Sequence, residues 1–174
     1  MYSKRIDDFK IDLDLLKNDV NEVIEKAKLE GHHELQISLK HRPGFNSYAD
    51  GIGSIYDREK KIAIYDEKDF SELRTDLPQY LNKVIKDVKM HIPEKLGRIR
   101  IMQMKPQSLY TFHHDLDVRY HFAIETNEDC KFVWPHHVSN EIAITKHIPA
   151  DGYLWWINTK AKHTFINASK KWRI

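Results

Sequence analysis

Cys130 is the only cysteine among the 174 residues of the chain. A disulfide within the chain, or a zinc cluster built on thiolates, needs at least two, so both are excluded. Glycine and proline are also sparse, at six each, and no repeat, low-complexity tract or linker interrupts the sequence. Charge of one sign is missing too. The 28 Lys and Arg nearly cancel the 26 Asp and Glu, leaving +2, so charge alone does not imply a nucleic-acid partner. No apolar run approaches the roughly 20 residues of a membrane span. The opening stretch MYSKRIDDFKIDLDLL lacks the apolar core of a signal peptide. The default expectation is therefore a cytoplasmic protein without a membrane partner, and nothing in the sequence specifies an oligomeric state.

What remains is an ordinary globular composition, 41% apolar and 31% charged. A chain of this size fits one domain, 1–174, and buries roughly two thirds of its unfolded surface. The unusual count is histidine, at eleven, which raises the expectation of a metal ligand.

Periodicity divides the chain. In DLDLLKNDVNEVIEKAKLEG, Leu13, Leu16, Val20, Val23, Ile24 and Ala27 fall on one helical stripe, and Gly31 is a natural stop. A second stripe, Leu81, Val84, Ile85 and Val88, is closed by Pro93. The rest is rich in short β-like runs: ELQISL, KIAIYD, GRIRIMQM, SLYTFHH, RYHFAIET, CKFVW, EIAIT, GYLWWIN and HTFINA. Helices beside many short, mostly antiparallel strands predict an α+β, mainly β domain with a jelly-roll or barrel core. Residues 42–54, RPGFNSYADGIGS, suit either a loop over a site mouth or a plain surface loop.

The chemistry concentrates in FHHDLDVRYH, residues 112–121. If residues 110–115 run extended, alternate side chains share a face, so His113 and Asp115 point together and His114 points away. A third donor is His163, at the start of HTFINA. Two imidazoles and one carboxylate on one face of an octahedral metal leave three positions open, the pattern of non-heme Fe(II) oxygenases. Arg173 comes ten residues later, where a guanidinium can clamp the far carboxylate of a dicarboxylate cosubstrate through two parallel hydrogen bonds. Arg119 and His121 alternate on one face and can add a second contact. The plainer readings pair Arg119 with Asp115 or Asp117 and make His121 a core histidine. The adjacent pairs His32–His33 and His136–His137 diverge on an extended backbone and read as loop residues. Trp155 and Trp156 read as core and rim aromatics.

In order, GRIRIMQMKP, HHD, RYH, TN, GYLWW and HTFINASKKWRI make residues 98–174 resemble the aspartyl/asparaginyl β-hydroxylase family of Fe(II)- and 2-oxoglutarate-dependent oxygenases, including its free-proline cis-hydroxylases. The resemblance implies a double-stranded β-helix (jelly roll, cupin-like) spanning 98–174, with helical support from residues 1–97. It implies Fe(II) on His113, Asp115 and His163. Arg173 would bind 2-oxoglutarate, with Arg119 and His121 beside that cosubstrate. The implied activity consumes O2, releases succinate and CO2, and hydroxylates an amino-acid side chain of Asp, Asn or Pro type, in a protein or free. The sequence departs from the family at Met102, where animal members place a serine that helps to hold the cosubstrate. It also ends at Ile174, soon after Arg173, which favours a residue within a polypeptide as substrate. Two competing expectations are a cupin-like metal-binding protein or metalloenzyme that does not use 2-oxoglutarate, and a jelly-roll binding module without turnover.

Overall fold

The computed structural model describes residues 1–57, 59–135 and 143–174. In chain order its elements are β1 (Ser3–Lys10), α1 (Leu13–Leu29), β2 (Gln36–Ser38), β3 (Lys40–His41), β4 (Tyr56–Asp57), β5 (Ile62–Ala63), β6 (Glu72–Leu73), α2 (Gln79–His91), β7 (Arg100–Met102), β8 (Ser108–Leu109), β9 (Arg119–His121), β10 (Cys130–Trp134), β11 (Ile144–Lys146), β12 (Tyr153–Ile157) and β13 (Thr164–Asn167). The protein is thus mainly β with two helices. No helix among the described residues is long and apolar enough to cross a membrane. The chain separates into two compact units, Met1–Leu13 with Gln103–Ile174, and Asp14–Met102. The first thirteen residues therefore group with Gln103–Ile174.

The unit Asp14–Met102 carries both helices. In α1 the predicted stripe buries Leu16, Val20, Val23, Ile24 and Ala27, while Leu13 is only half-buried. Gly31 stops it for a backbone reason. At φ +82° it takes the left-handed conformation, its N–H reaches the Lys28 carbonyl (3.0 Å) and the His32 N–H reaches Ala27 (2.9 Å), the paired bonds of a Schellman end. In α2 the buried residues are the four predicted, Leu81, Val84, Ile85 and Val88. Its first turn borrows a cap from α1, since the Leu81 N–H donates to the Asp19 carboxylate at 2.7 Å. Three two-stranded antiparallel ladders, β2–β7, β3–β6 and β4–β5, complete this unit.

Residues 42–54 are a pinned loop within the same unit. Arg42 forks onto Asp50 at 2.9 and 2.7 Å and lies over the rings of Phe45 and Tyr65. Arg98 donates to the carbonyls of Gly51 and Gly53. Gly51, at φ +85°, has no room for a side chain, because a Cβ there would stand 2.5 Å from the Phe70 ring.

The other unit is built from two antiparallel sheets, ordered β1-β12-β9 and β11-β10-β13-β8. Strand β1 was illegible in the sequence because SKRIDDFK holds only Ile6 and Phe9 as apolar residues, three apart. It forms by pairing its backbone with β12, with an irregularity between Ile6 and Lys10. Trp155 and Ile157 of one sheet join Cys130, Phe132, Trp134 and Phe165 of the other in a single buried cluster with Met104, Ala123 and Ile148. Phe132 is its hub, edge-on to Phe165 at 4.7 Å and to His121 of the opposite sheet at 5.5 Å. Each such fully buried apolar side chain contributes about 1.5–3 kcal/mol. Both sheets are open, and no closed sheet forms among the described residues. Of the predicted runs, CKFVW is a strand end to end, whereas SLYTFHH pairs regularly only at Ser108–Leu109.

One charged cluster secures the helical unit. Arg74, 3% exposed, donates from Nε and Nη2 to the two oxygens of Asp76 at 3.0 and 2.9 Å and lies over the Tyr48 ring. Arg74, with help from Lys26, holds the Asp76 carboxyl far below the usual carboxylate range. A depressed folded pKa means stability that is present above the ordinary carboxylate value and lost as pH falls. Asp76→Asn is expected to cost about 2 kcal/mol at neutral pH by leaving a buried guanidinium half-satisfied. The gap between variant and wild-type urea midpoints should shrink below about pH 4. A gap that does not change with pH would rule out this charge-based account.

Candidate metal site

His113 and His163 are backbone partners. They form an isolated antiparallel bridge in which each N–H donates to the other's carbonyl at 2.9 Å. Such a pair projects both side chains from one face, and here the ring centroids lie 4.4 Å apart. The pairing register corrects the expectation of continuous alternation through residues 110–115. From the pair Leu109–Ile166 to the pair His113–His163, four steps on one side match three on the other. One extra residue is therefore accommodated between them, as in a β-bulge. Continued without it, the β8 register would set Phe112 opposite His163. The insertion brings His113 to that face and leaves Phe112 49% exposed.

The tautomers of both imidazoles are set by the backbone. His113 Nδ1 lies 2.7 Å from the Thr111 carbonyl, and His163 Nδ1 lies 3.0 Å from Ala161. A carbonyl only accepts, so in each neutral ring the proton sits on Nδ1 and Nε2 keeps its lone pair. Those Nε2 atoms face Asp115, each 3.8 Å from one of its oxygens. The donor atoms of His113, Asp115 and His163 lie within 4.8 Å of one another, an arrangement that can take a metal ion. Burial holds the His163 imidazole below its ordinary pKa, which favours the neutral ligand form. Asp115 is held by its N–H to the Thr159 carbonyl at 2.9 Å. His114 turns away, its Nδ1 3.0 Å from the Lys160 carbonyl.

Two acceptor nitrogens facing a carboxylate cannot bond one another without a cation between them. Asp115 Oδ2 is buried and has no hydrogen-bond partner. Arg119 Nη2 stands 2.8 Å from that oxygen, close enough for an ion pair but not oriented as a hydrogen bond. Two nitrogens, one carboxylate and an oxygen with unused lone pairs fit a divalent first-row metal.

Arg173 is brought to the same side. Its backbone bridges Met104, with N–H···O distances of 2.8 and 3.1 Å. Its guanidinium lies 4.6 Å from the ring of Phe165, which shares a strand face with His163. The side chain is buried, Nε has no hydrogen-bond partner, and no carboxylate pairs with it among the described residues. Burial disfavours its charged form. A cation held so needs an anionic ligand.

Asn167 was not legible as a site residue, since NASKK looks like an ordinary turn. It is fully buried, and its amide donates to the carbonyls of Lys105 (3.0 Å) and Lys171 (2.9 Å) while its carbonyl accepts from Cys130 Sγ and Ser169. That clasp ties the segment before Arg173 to the strand. A polar residue ending an apolar run was the only signal.

The other sequence candidates are spread across both units. His121 sits in β9 opposite Trp155, half-buried against Phe132. Met102 lies in β7 of the other unit. His32 has its Nε2 2.8 Å from the Gln36 carbonyl, and His33 is exposed. Trp155 is core and Trp156 half-buried, as core and rim aromatics should be. His136 and His137 lie outside the described residues. No protein-family model matches the chain, and no curated protein is significantly similar to it.

His113→Ala or His163→Ala is expected to abolish binding of Co(II), used as a spectroscopic probe, whereas His114→Ala should keep most of it. Equal loss from His114→Ala would overturn the assignment of faces.

Proposed function

We propose that the protein is an Fe(II)- and 2-oxoglutarate-dependent dioxygenase that hydroxylates an amino-acid side chain, built on a double-stranded β-helix whose two faces are the open sheets. One observation carries the reading: a buried guanidinium with no carboxylate partner among the described residues lies over Phe165, on the strand face of His163 in the His–Asp–His cluster. A metal site alone does not need Arg173, and an anion site alone does not need the cluster. A dicarboxylate that chelates at one end and is clamped at the other uses both.

Fe(II), when bound, supplies activation of O2 coupled to oxidative decarboxylation of 2-oxoglutarate to succinate and CO2. The residues do the rest. His113 and His163 offer Nε2 in tautomers already set by the Thr111 and Ala161 carbonyls, so little reorganisation accompanies binding. Asp115 supplies the anionic donor. Arg173 anchors the far carboxylate of the cosubstrate, with the backbone just before it fastened through the Asn167 clasp. Phe132 and Phe165 give the space beside His163 an apolar wall that keeps water out. Arg119 and His121 stand on β9, where they add contacts to cosubstrate or substrate. The substrate is a side chain of a free amino acid or of a protein residue.

A cupin-like protein that binds metal without 2-oxoglutarate is the second reading, and the unpaired burial of Arg173 disfavours it. The deciding experiment is anaerobic: protein with Fe(II) should bind 2-oxoglutarate, and admission of O2 should then yield succinate. Incubation with free proline, aspartate and asparagine, and separately with cell extract, should reveal the hydroxylated product by mass spectrometry. Arg173→Ala is expected to raise the 2-oxoglutarate requirement by about thirtyfold to a thousandfold, corresponding to about 2–4 kcal/mol for a shielded bidentate contact, with metal affinity nearly unchanged. An unchanged 2-oxoglutarate dependence would move the anchor to Arg119.

A further inference from the structure

Arg119 stands directly against the candidate metal site. Its Nη2 lies 2.8 Å from Asp115 Oδ2, the oxygen that also faces His163 Nε2 at 3.8 Å. A metal taken through Oδ1 would leave the pair intact, whereas one taken through Oδ2 meets the guanidinium on the same oxygen. The arginine is anchored by its backbone. It sits within β9 opposite Ile157 of β12, and its side chain is only 29% exposed.

With both imidazoles neutral, Asp115 and Arg119 cancel and the cluster carries no net charge. A divalent ion raises it to +2 in a half-buried setting, beside a guanidinium that has lost its counter-ion. An anion arriving at the same place satisfies both cations at once. By linkage, the anion must then strengthen metal binding by the same factor as the metal strengthens anion binding.

We infer that Arg119 is the counter-ion that Asp115 exchanges for the metal, and that this exchange makes metal retention depend on an anionic ligand in the site. The inference rests on the metal-site reading and adds a positioning residue to it. Arg119 keeps the carboxylate turned toward the two histidines when no metal is bound. Once displaced, it is left to pair with the carboxylate of the incoming cosubstrate. It thereby selects for the joint occupancy that the reaction needs and against a metal held alone.

The test titrates Co(II) anaerobically into the full chain, with and without 2-oxoglutarate, by ligand-field absorption. Wild type should bind Co(II) weakly, and 2-oxoglutarate should tighten it by about tenfold or more. Arg119→Gln should bind Co(II) about tenfold tighter without 2-oxoglutarate, and the gain from adding it should largely vanish. Arg119→Lys, which keeps the charge, should retain the wild-type gain. The ratio of the two affinities is internal to each variant, so partial unfolding does not imitate the effect. Weaker or unchanged Co(II) binding by Arg119→Gln, with the gain intact, overturns the exchange and makes Arg119 a strut. Failure of wild type to bind Co(II) at all sinks the metal reading itself, and this inference with it.

Discussion

Two hydrogen bonds between His113 and His163 are what the site depends on. The residues are fifty apart in sequence, yet each backbone N–H meets the other's carbonyl at 2.9 Å. That pairing sets both rings on one face before any metal is considered. Its register is inherited from β13, which is aligned on its other edge by β10 through Phe132–Phe165 and Cys130–Asn167. A slip of one residue would turn His163, Phe165 and Asn167 outward together, removing a candidate ligand, a core aromatic and the clasp in one step. The same strand thus ties core packing to the placing of the cluster.

The extra residue between Leu109 and His113 is the second constraint. Bulges disturb a ladder and leave one residue unpaired, so they persist where they re-aim a side chain. Here the exchange is an exposed Phe112 for an inward His113. Exposing much of a phenylalanine forgoes part of its burial energy. The ladder recovers its pairing immediately afterwards, and the Thr164 hydroxyl bonds to the Tyr110 carbonyl across the irregular stretch.

Buried charge is the third. Arg173 and Arg119 are held near the cluster in different ways. The first is almost sealed from solvent, with no carboxylate paired to it among the described residues, whereas the second leans on the Asp115 carboxylate. In the helical unit the comparable cation, Arg74, is met by a fork onto Asp76. Among the described residues the fold thus neutralises one buried arginine with a carboxylate and leaves the other without one.

The sequence by itself determined the two helices, because a 3.6-residue stripe and a glycine stop need no partner to be read. It determined the strand CKFVW, whose apolar residues define a buried run, and it pointed to His113, Asp115 and His163 as candidate donors, which the structure groups together. It could not determine β1, which is polar and exists only because β12 offers it a ladder. Nor could it place His113. The alternation argument joined His113 to Asp115 and parted both from His114, but rested on an unbroken strand that the chain does not form. Register between residues far apart is set by cross-strand packing and by where an irregularity is absorbed, and neither leaves a local signal. The same reason hid the Asn167 clasp and left Arg119 open between Asp115, Asp117 and an anionic ligand. Residue types and local periods are properties of short segments, whereas convergence of lone pairs and charges belongs to the tertiary structure.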